Sequence, residues 1–335
     1  MSPLPEDAPG RDQFILARRG PRTPPDPWAA PRMVIEDERA ADGSITSVAA
    51  IFLAGKECPW RCTMCDLWRD TLETDTPHGA IPRQLEGTWP HRPDSCTTVK
   101  LYNAGSFFDP HAVPDDDYVG IVDALRGVRH VIVESHPSLI GLRTMRLRDL
   151  LRTRAVTESG PPTLEVAMGL ETCHPSALER LNKRMTTADF ARAAERLKEN
   201  DVTLRVFLLI SPPFVPAAEQ DEWLTRSIDF AITCGATAIS MIPTRAGNGA
   251  LEALADEHAF AEPQLADVER SLALALARVE GSRTRVFADL WDLARFAPCG
   301  SCAGPRQARL TIMNRTQVSG VPITPCQDCG AGGAV

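Results

Sequence analysis

Residues 56–70 read KECPWRCTMCDLWRD and place Cys58, Cys62 and Cys65 within eight positions. Thiolates are soft ligands for zinc and iron, so a Cys-x3-Cys-x2-Cys run points first to metal chemistry. A structural zinc ion asks for four ligands in a closed tetrahedron, and the histidine nearest in sequence is His78. A [4Fe–4S] cube solves the count differently. Its irons usually take one thiolate each, so three thiolates leave one iron open to a small chelating ligand. On this reading the missing fourth sulfur is the functional vacancy.

Seven other cysteines complete the set of ten. Cys96, Cys173 and Cys234 stand alone and are expected in the core, although Cys173 and His174 follow a strand end. Cys299/Cys302 and Cys326/Cys329 form two CxxC pairs, a strong metal signal. Four cysteines can close a zinc site and staple the C-terminus, and an auxiliary iron–sulfur cluster is the alternative. The intervening ARLTIMNRTQVSGVPI predicts a hairpin turning near Ser319 and Gly320.

Ligands need elements to position them. Short apolar, β-branched runs at 45–55, 97–105, 130–135, 163–171, 203–211 and 236–242 predict strands. Amphipathic stretches at 115–127, 142–155, 175–199 with a break near Met185, 216–234 and 263–280 predict helices. Strands followed by helices imply a parallel sheet, because parallel neighbours need crossover connections. The strands end on Asn103 with Gly105 and Ser106, on Glu134 with Ser135, on Glu171 and on Ser211. Ligands collect at the carboxyl ends of strands in α/β folds. A carboxylate there can equally cap the helix that follows.

The 335 residues are 43% hydrophobic, enough for a large core, and the net charge of −8 argues against sequence-independent nucleic-acid binding by charge alone. Residues 1–44, rich in proline and charge, predict an extended N-terminal arm that wraps or precedes the domain; 45–285 predict the core and 286–335 a small Cys-rich module. MSPLPEDAPGRDQ has no basic-then-apolar signal pattern and no apolar run approaches ~20 residues, so the expectation is a cytoplasmic protein with no membrane contact.

The motif Cys58-x3-Cys62-x-Met64-Cys65, with the strand rhythm over about 45–245, resembles the radical S-adenosylmethionine (SAM) enzymes. The resemblance implies an α/β fold with a partial (β/α)6 barrel, and a cluster whose open iron binds SAM and cleaves it to a 5′-deoxyadenosyl radical. It implies a reductant such as flavodoxin or ferredoxin. YNAGSFFD is similar to the family segment that holds the methionyl amino group, which implies that role for Asn103, Ala104, Gly105 and Ser106. VIVES and GLETCHPSALERLNKRMT carry Glu134, Ser135 and Glu171 into the SAM-binding set, and Met64 against adenine.

LYNAGSFFDPHAVP, ESHP and the GLETCHPSALERLNKRMT segment resemble the branch related to the Elongator catalytic subunit and archaeosine synthase, which implies tRNA base modification. Arginines of the arm (Arg11, Arg18, Arg19, Arg22, Arg32) and of 142–155 (Arg143, Arg146, Arg148, Arg152, Arg154) could meet phosphate, or could solvate an outer face. The alternatives are radical chemistry on a small metabolite or peptide, and a non-catalytic metal-binding interaction protein. Oligomeric state is not readable.

Overall fold

The computed structural model describes residues 4–158, 160–297, 299–321 and 325–330. Eight strands form one sheet in chain order: β1 (Met33–Arg39), β2 (Ile45–Phe52), β3 (Thr98–Tyr102), β4 (His130–Glu134), β5 (Thr163–Glu171), β6 (Thr203–Ile210), β7 (Ala236–Pro243) and β8 (Arg285–Ala288). β1 runs antiparallel to β2, and every later pair is parallel. The six strands read from sequence are β2 to β7. Two more, β1 and β8, extend them to a nearly closed barrel.

The helices are α1 (Ala8–Leu16), α2 (Ala80–Thr88), α3 (Asp117–Ala124), α4 (Leu142–Arg154), α5 (Pro175–Arg180), α6 (Thr187–Glu199), α7 (Gln220–Thr233), α8 (Ala250–Asp256), α9 (Leu265–Val279) and α10 (Gly300–Thr316). α5 and α6 split where the sequence shows a break, and Asn182 and Arg184 between them adopt positive φ.

Alternation along the strands divides the barrel into two surfaces. Val99 and Leu101, Val131 and Val133, and Val206 and Leu208 point outward into the core shared with the helices. Each such side chain contributes about 1.5–3 kcal/mol on burial. The inward positions are more polar. Near the strand starts Arg205 pairs with Glu165 at 2.6 Å and with Glu38, while Lys100 reaches Glu38 at 2.7 Å and also Glu36. Burial opposes ionisation of Glu38, but Arg205 and Lys100 outweigh it and hold its pKa near about 2. This layer of charge lies inside the barrel near the strand starts.

Two sequence expectations change. The arm is not simply extended: α1 packs Phe14 and Ile15 against Leu251 and Leu254 of α8, and β1 joins the sheet. The expected C-terminal hairpin is instead α10, a helix through Thr316. Its buried positions Cys302, Arg306, Leu310 and Met313 recur at helical spacing and lie over the seam between β1 and β8. The helical stripe lets α10 contact both edge strands at once. Residues 322–323 of the expected hairpin lie outside the described residues.

Candidate active site

Cys58, Cys62 and Cys65 sit on the loop after β2, and all three are free thiols. The loop is bound from several sides. Asn182 Nδ2 donates to Arg61 O at 2.7 Å, Asn248 Nδ2 donates to Thr63 O at 2.6 Å, and Thr63 Oγ1 donates to Arg180 O at 2.9 Å. Glu57 receives Arg19 at 2.8 Å and Arg61 at 3.1 Å, together with Arg22. Thus the arm arginines Arg19 and Arg22 fasten the cysteine loop. Arg11 is buried against Asn182 at 3.2 Å, and Arg18 donates to Phe14 O.

Burial raises the Cys58 thiol, pushes Cys62 up to about 12 and raises Cys65 well above the ordinary thiol value. Such thiols need a cation to become ligands. Among the described residues, the sulfurs gathered closely enough to share a single ion are those of Cys299, Cys302, Cys326 and Cys329. Three free thiols on one short loop are the donors that a cube with one open iron takes. The donor set fits the cluster implied by the motif.

The next strand ends converge on the same space. Ala104 and Glu171 both have positive φ, a costly conformation for non-glycine residues. Glu134 accepts from Asn103 N at 3.0 Å, so this carboxylate orients the 103–106 turn rather than capping the helix after its own strand. Burial pushes Glu134 up to about 7, against the Asn103 and Ala104 amides. Ser106 Oγ accepts from His136 N at 3.0 Å, and Ser135 N donates to Ala167 O at 3.0 Å. The Asn103 amide is fully buried with both polar atoms unpartnered. Gly105 allows close approach: a Cβ there would lie 3.0 Å from Lys56 O and 3.5 Å from Cys58 N.

Glu171 pairs with Lys183, a residue not singled out from the sequence. Burial works against the ammonium of Lys183, but Glu171 and then Cys62 prevail and raise its pKa. A buried cation therefore stands in the field of the cysteine loop. Gly169 makes the room: a Cβ there would fall 2.1 Å from both Glu171 Oε1 and Lys183 Nζ. Trp60 and His136 were likewise passed over, because packing partners far apart in sequence carry no local signal.

Met64, Ala104, Gly105, Ser106, Glu134, Ser135 and Glu171 all line one cavity of about 760 Å³ together with the three cysteines. This is the size of a small-molecule site. Asn103 lies behind that wall. Cys173 and His174 serve packing instead: Ser227 Oγ lies 3.4 Å from Cys173 Sγ, and His174 Nδ1 accepts from Ala177 N at the start of α5. The α4 arginines are also engaged, Arg143 with Asp115 at 2.6 Å and Arg154 with Asp123 at 2.7 Å.

The second cysteine set lies at the start of α10. Cys299 Sγ is 3.9 Å from Cys326 Sγ, Cys302 Sγ is 3.7 Å from Cys329 Sγ, and all four sulfurs fall within 4.8 Å of one another. The backbone amides of Cys302 and Ser301 lower the Cys299 thiol to about 7.

No family model matches the chain. It is 27% identical over 201 residues to archaeosine synthase subunit beta of Methanosarcina acetivorans, covering 57% of this chain and 56% of that protein. It is 25% identical over 150 residues to the same subunit of Thermococcus kodakarensis, covering 43% of this chain and 42% of the relative. The chain thus spans about half the length of the curated relatives it matches. Methylornithine synthase superposes with a TM-score of 0.51 at 13% identity, over 94% of this chain and 78% of that one. N-terminally truncated Elp3 of Methanocaldococcus infernus gives 0.51 at 11% identity, over 71% and 59%. Both are radical SAM enzymes, and the chain has their fold. Among the described residues no helix is long and apolar enough to cross a membrane.

Proposed function

We propose that this chain is a radical SAM enzyme in which Cys58, Cys62 and Cys65 hold a [4Fe–4S] cluster and the ends of β3, β4 and β5 receive SAM. The observation that carries the reading is the convergence of the Cys58, Cys62 and Cys65 thiols and the 104–106 turn, Glu134, Ser135 and Glu171 on one cavity. When bound, the cluster supplies the electron that cleaves SAM reductively to a 5′-deoxyadenosyl radical. The chain's own groups have positioning tasks. Glu134 fixes the 103–104 amides, the buried Asn103 amide offers a donor and an acceptor, and Lys183 balances Glu171 beside the cysteines. Met64 supplies apolar surface on the cavity wall. Flavodoxin or ferredoxin is the class of reductant such a site uses.

For the substrate we favour a tRNA base, as implied by the archaeosine synthase relatives and the Elongator-like motif segments. The arm and α4 arginines do not support this through charge, since those described above are paired internally. A small metabolite or peptide in the barrel is the second reading, favoured by the buried charged layer inside the barrel. At the C-terminus we favour zinc over an auxiliary cluster. Four sulfurs around one zinc, at Zn–S of about 2.3 Å, stand about 3.8 Å apart, matching the 3.9 and 3.7 Å separations.

The test is anaerobic reconstitution followed by reduction with dithionite in the presence of SAM. 5′-Deoxyadenosine should form, and Cys62→Ala should lose both the product and about four irons per chain. Parent protein with a full iron complement that makes no deoxyadenosine would refute the reading. Absence of salt-sensitive tRNA binding would refute the RNA substrate alone.

A further inference from the structure

The cluster loop and the ends of β3, β4 and β5 occupy one arc of the barrel rim, and the ends of β7 and β8 face them across the cavity. No role on that second arc follows from the cysteine motif. There Arg245, two residues past β7, donates from Nη2 to Asp289 Oδ2 at 3.0 Å. Asp289 follows β8 directly and also accepts from Trp291 N at 2.9 Å through Oδ1. Asp289 and Arg245 are both partly exposed, at 23% and 26%, and both line the cavity. The carboxylate is therefore anchored while the pair still faces open space.

Aromatic surface adjoins the pair. Phe52 lies 5.0 Å from Trp291 and 6.1 Å from Tyr102, and Tyr102 lies 6.5 Å from Phe207. The planes are inclined by 53° to 68°, so these four rings, all lining the cavity, are not stacked on one another. Only 6% of the chain is aromatic, yet four such side chains gather in the cavity, Phe52 and Tyr102 from the last positions of β2 and β3 and Phe207 and Trp291 from β6 and the segment after β8, so this aromatic surface bridges the two arcs. A flat ring entering the cavity can stack there, with its edge toward Arg245 and Asp289. The guanidinium can only donate and the ionised carboxylate can only accept. Together they match an edge that presents a carbonyl beside an N–H.

We propose that Asp289 and Arg245 are the substrate-selecting pair of this site and recognise a planar heterocycle through a lactam edge, with the N–H toward Asp289 and the carbonyl toward Arg245. The proposal rests on the radical SAM reading, which leaves the β2–β5 arc to SAM. It adds residues and a recognition chemistry for the other arc. A heterocycle lacking the lactam would leave the pair without new partners and gain only the stacking.

The test uses the reconstituted full chain with S-adenosylhomocysteine saturating the cofactor side. Inosine, which has the lactam edge, and purine riboside, which lacks it, are compared by equilibrium dialysis. Inosine should bind about tenfold or more tightly, and Asp289→Asn and Arg245→Met should each erase the preference with iron content intact. Equal binding of the two probes, binding of neither, or an unchanged preference in both variants would overturn the assignment. Failure of the radical SAM reading shows separately, as absence of deoxyadenosine from the parent protein.

Discussion

The indole of Trp60 lies flat on the imidazole of His136, with ring centroids 3.7 Å apart and 13° between the planes. Trp60 stands between Cys58 and Cys62, so this stack fastens the cysteine loop to the end of β4. The tautomer follows from the partners. His136 Nε2 lies 2.9 Å from Lys183 O, which can only accept, so Nε2 carries the proton; Nδ1 accepts from Ser138 N.

A proton added at Nδ1 would give up the bond from Ser138 N and could be taken only by Ser138 Oγ at 2.8 Å. Burial, then the charge of Lys183, lowers the His136 pKa from 6.5 to about 4. The sign is that of a depressed group: its stabilisation is complete above pH 6.5 and is lost as pH falls through about 4. The difference is worth roughly 3 kcal/mol. Urea unfolding at pH 7 and pH 4 should show a smaller acid loss in His136→Gln than in the parent. Parallel losses would show that His136 is not the group responsible.

Gly169→Ala should act through two side chains rather than through the strand. The added methyl would meet Glu171 Oε1 and Lys183 Nζ, separating a buried ion pair. Overpacking of this kind costs about 1–3 kcal/mol. Removing only the cation should cost more, because Lys183→Met leaves Glu171 charged and alone: about 3–5 kcal/mol. The double variant Lys183→Met with Glu171→Gln should recover part of that loss. Chemical denaturation of the set measures the coupling, and additive losses would mean that the pair is not a unit.

The legible parts of the protein were those with local periodicity or local chemistry. HVIVE and VFLLI announce strands, and the strand ends of β3, β4 and β5 lead to groups that line the cavity. β8 is four residues long, too short for periodicity to register. β1 reads MVIEDER behind a proline-rich segment, and its acids make sense only once Lys100 and Arg205 meet them across the barrel. α10 carries Gly300, Gly304 and Pro305 near its start, while its buried stripe is set by the β1–β8 seam. Lys183, Trp60 and His136 were hidden for the same reason, since their partners arrive through the fold.

The C-terminal set should behave as a single-ion site. Parent protein prepared without chelator should carry about one zinc in addition to about four irons. Cys326→Ala should lose the zinc and keep the iron, because the two cysteine sets lie on different elements, the β2–β3 loop and the α10 start with the tail. About eight irons in the parent, falling to four in the variant, would establish an auxiliary cluster instead.

If tRNA binds, the α4 arginines should contribute little to it. Each phosphate neutralised by a free cation adds about 0.9 to the salt slope on a duplex and about 0.7 on a single strand. Arg143 and Arg154 are already held by Asp115 and Asp123, and releasing either leaves an acid near the phosphate. Arg143→Ala and Arg154→Ala should therefore leave both tRNA affinity and its salt slope unchanged, and solvent screening keeps the contribution of these exposed pairs to stability small. Filter binding across a salt series checks this. A slope that falls by about one in either variant would mean that these ion pairs open to phosphate and that α4 is part of the RNA surface.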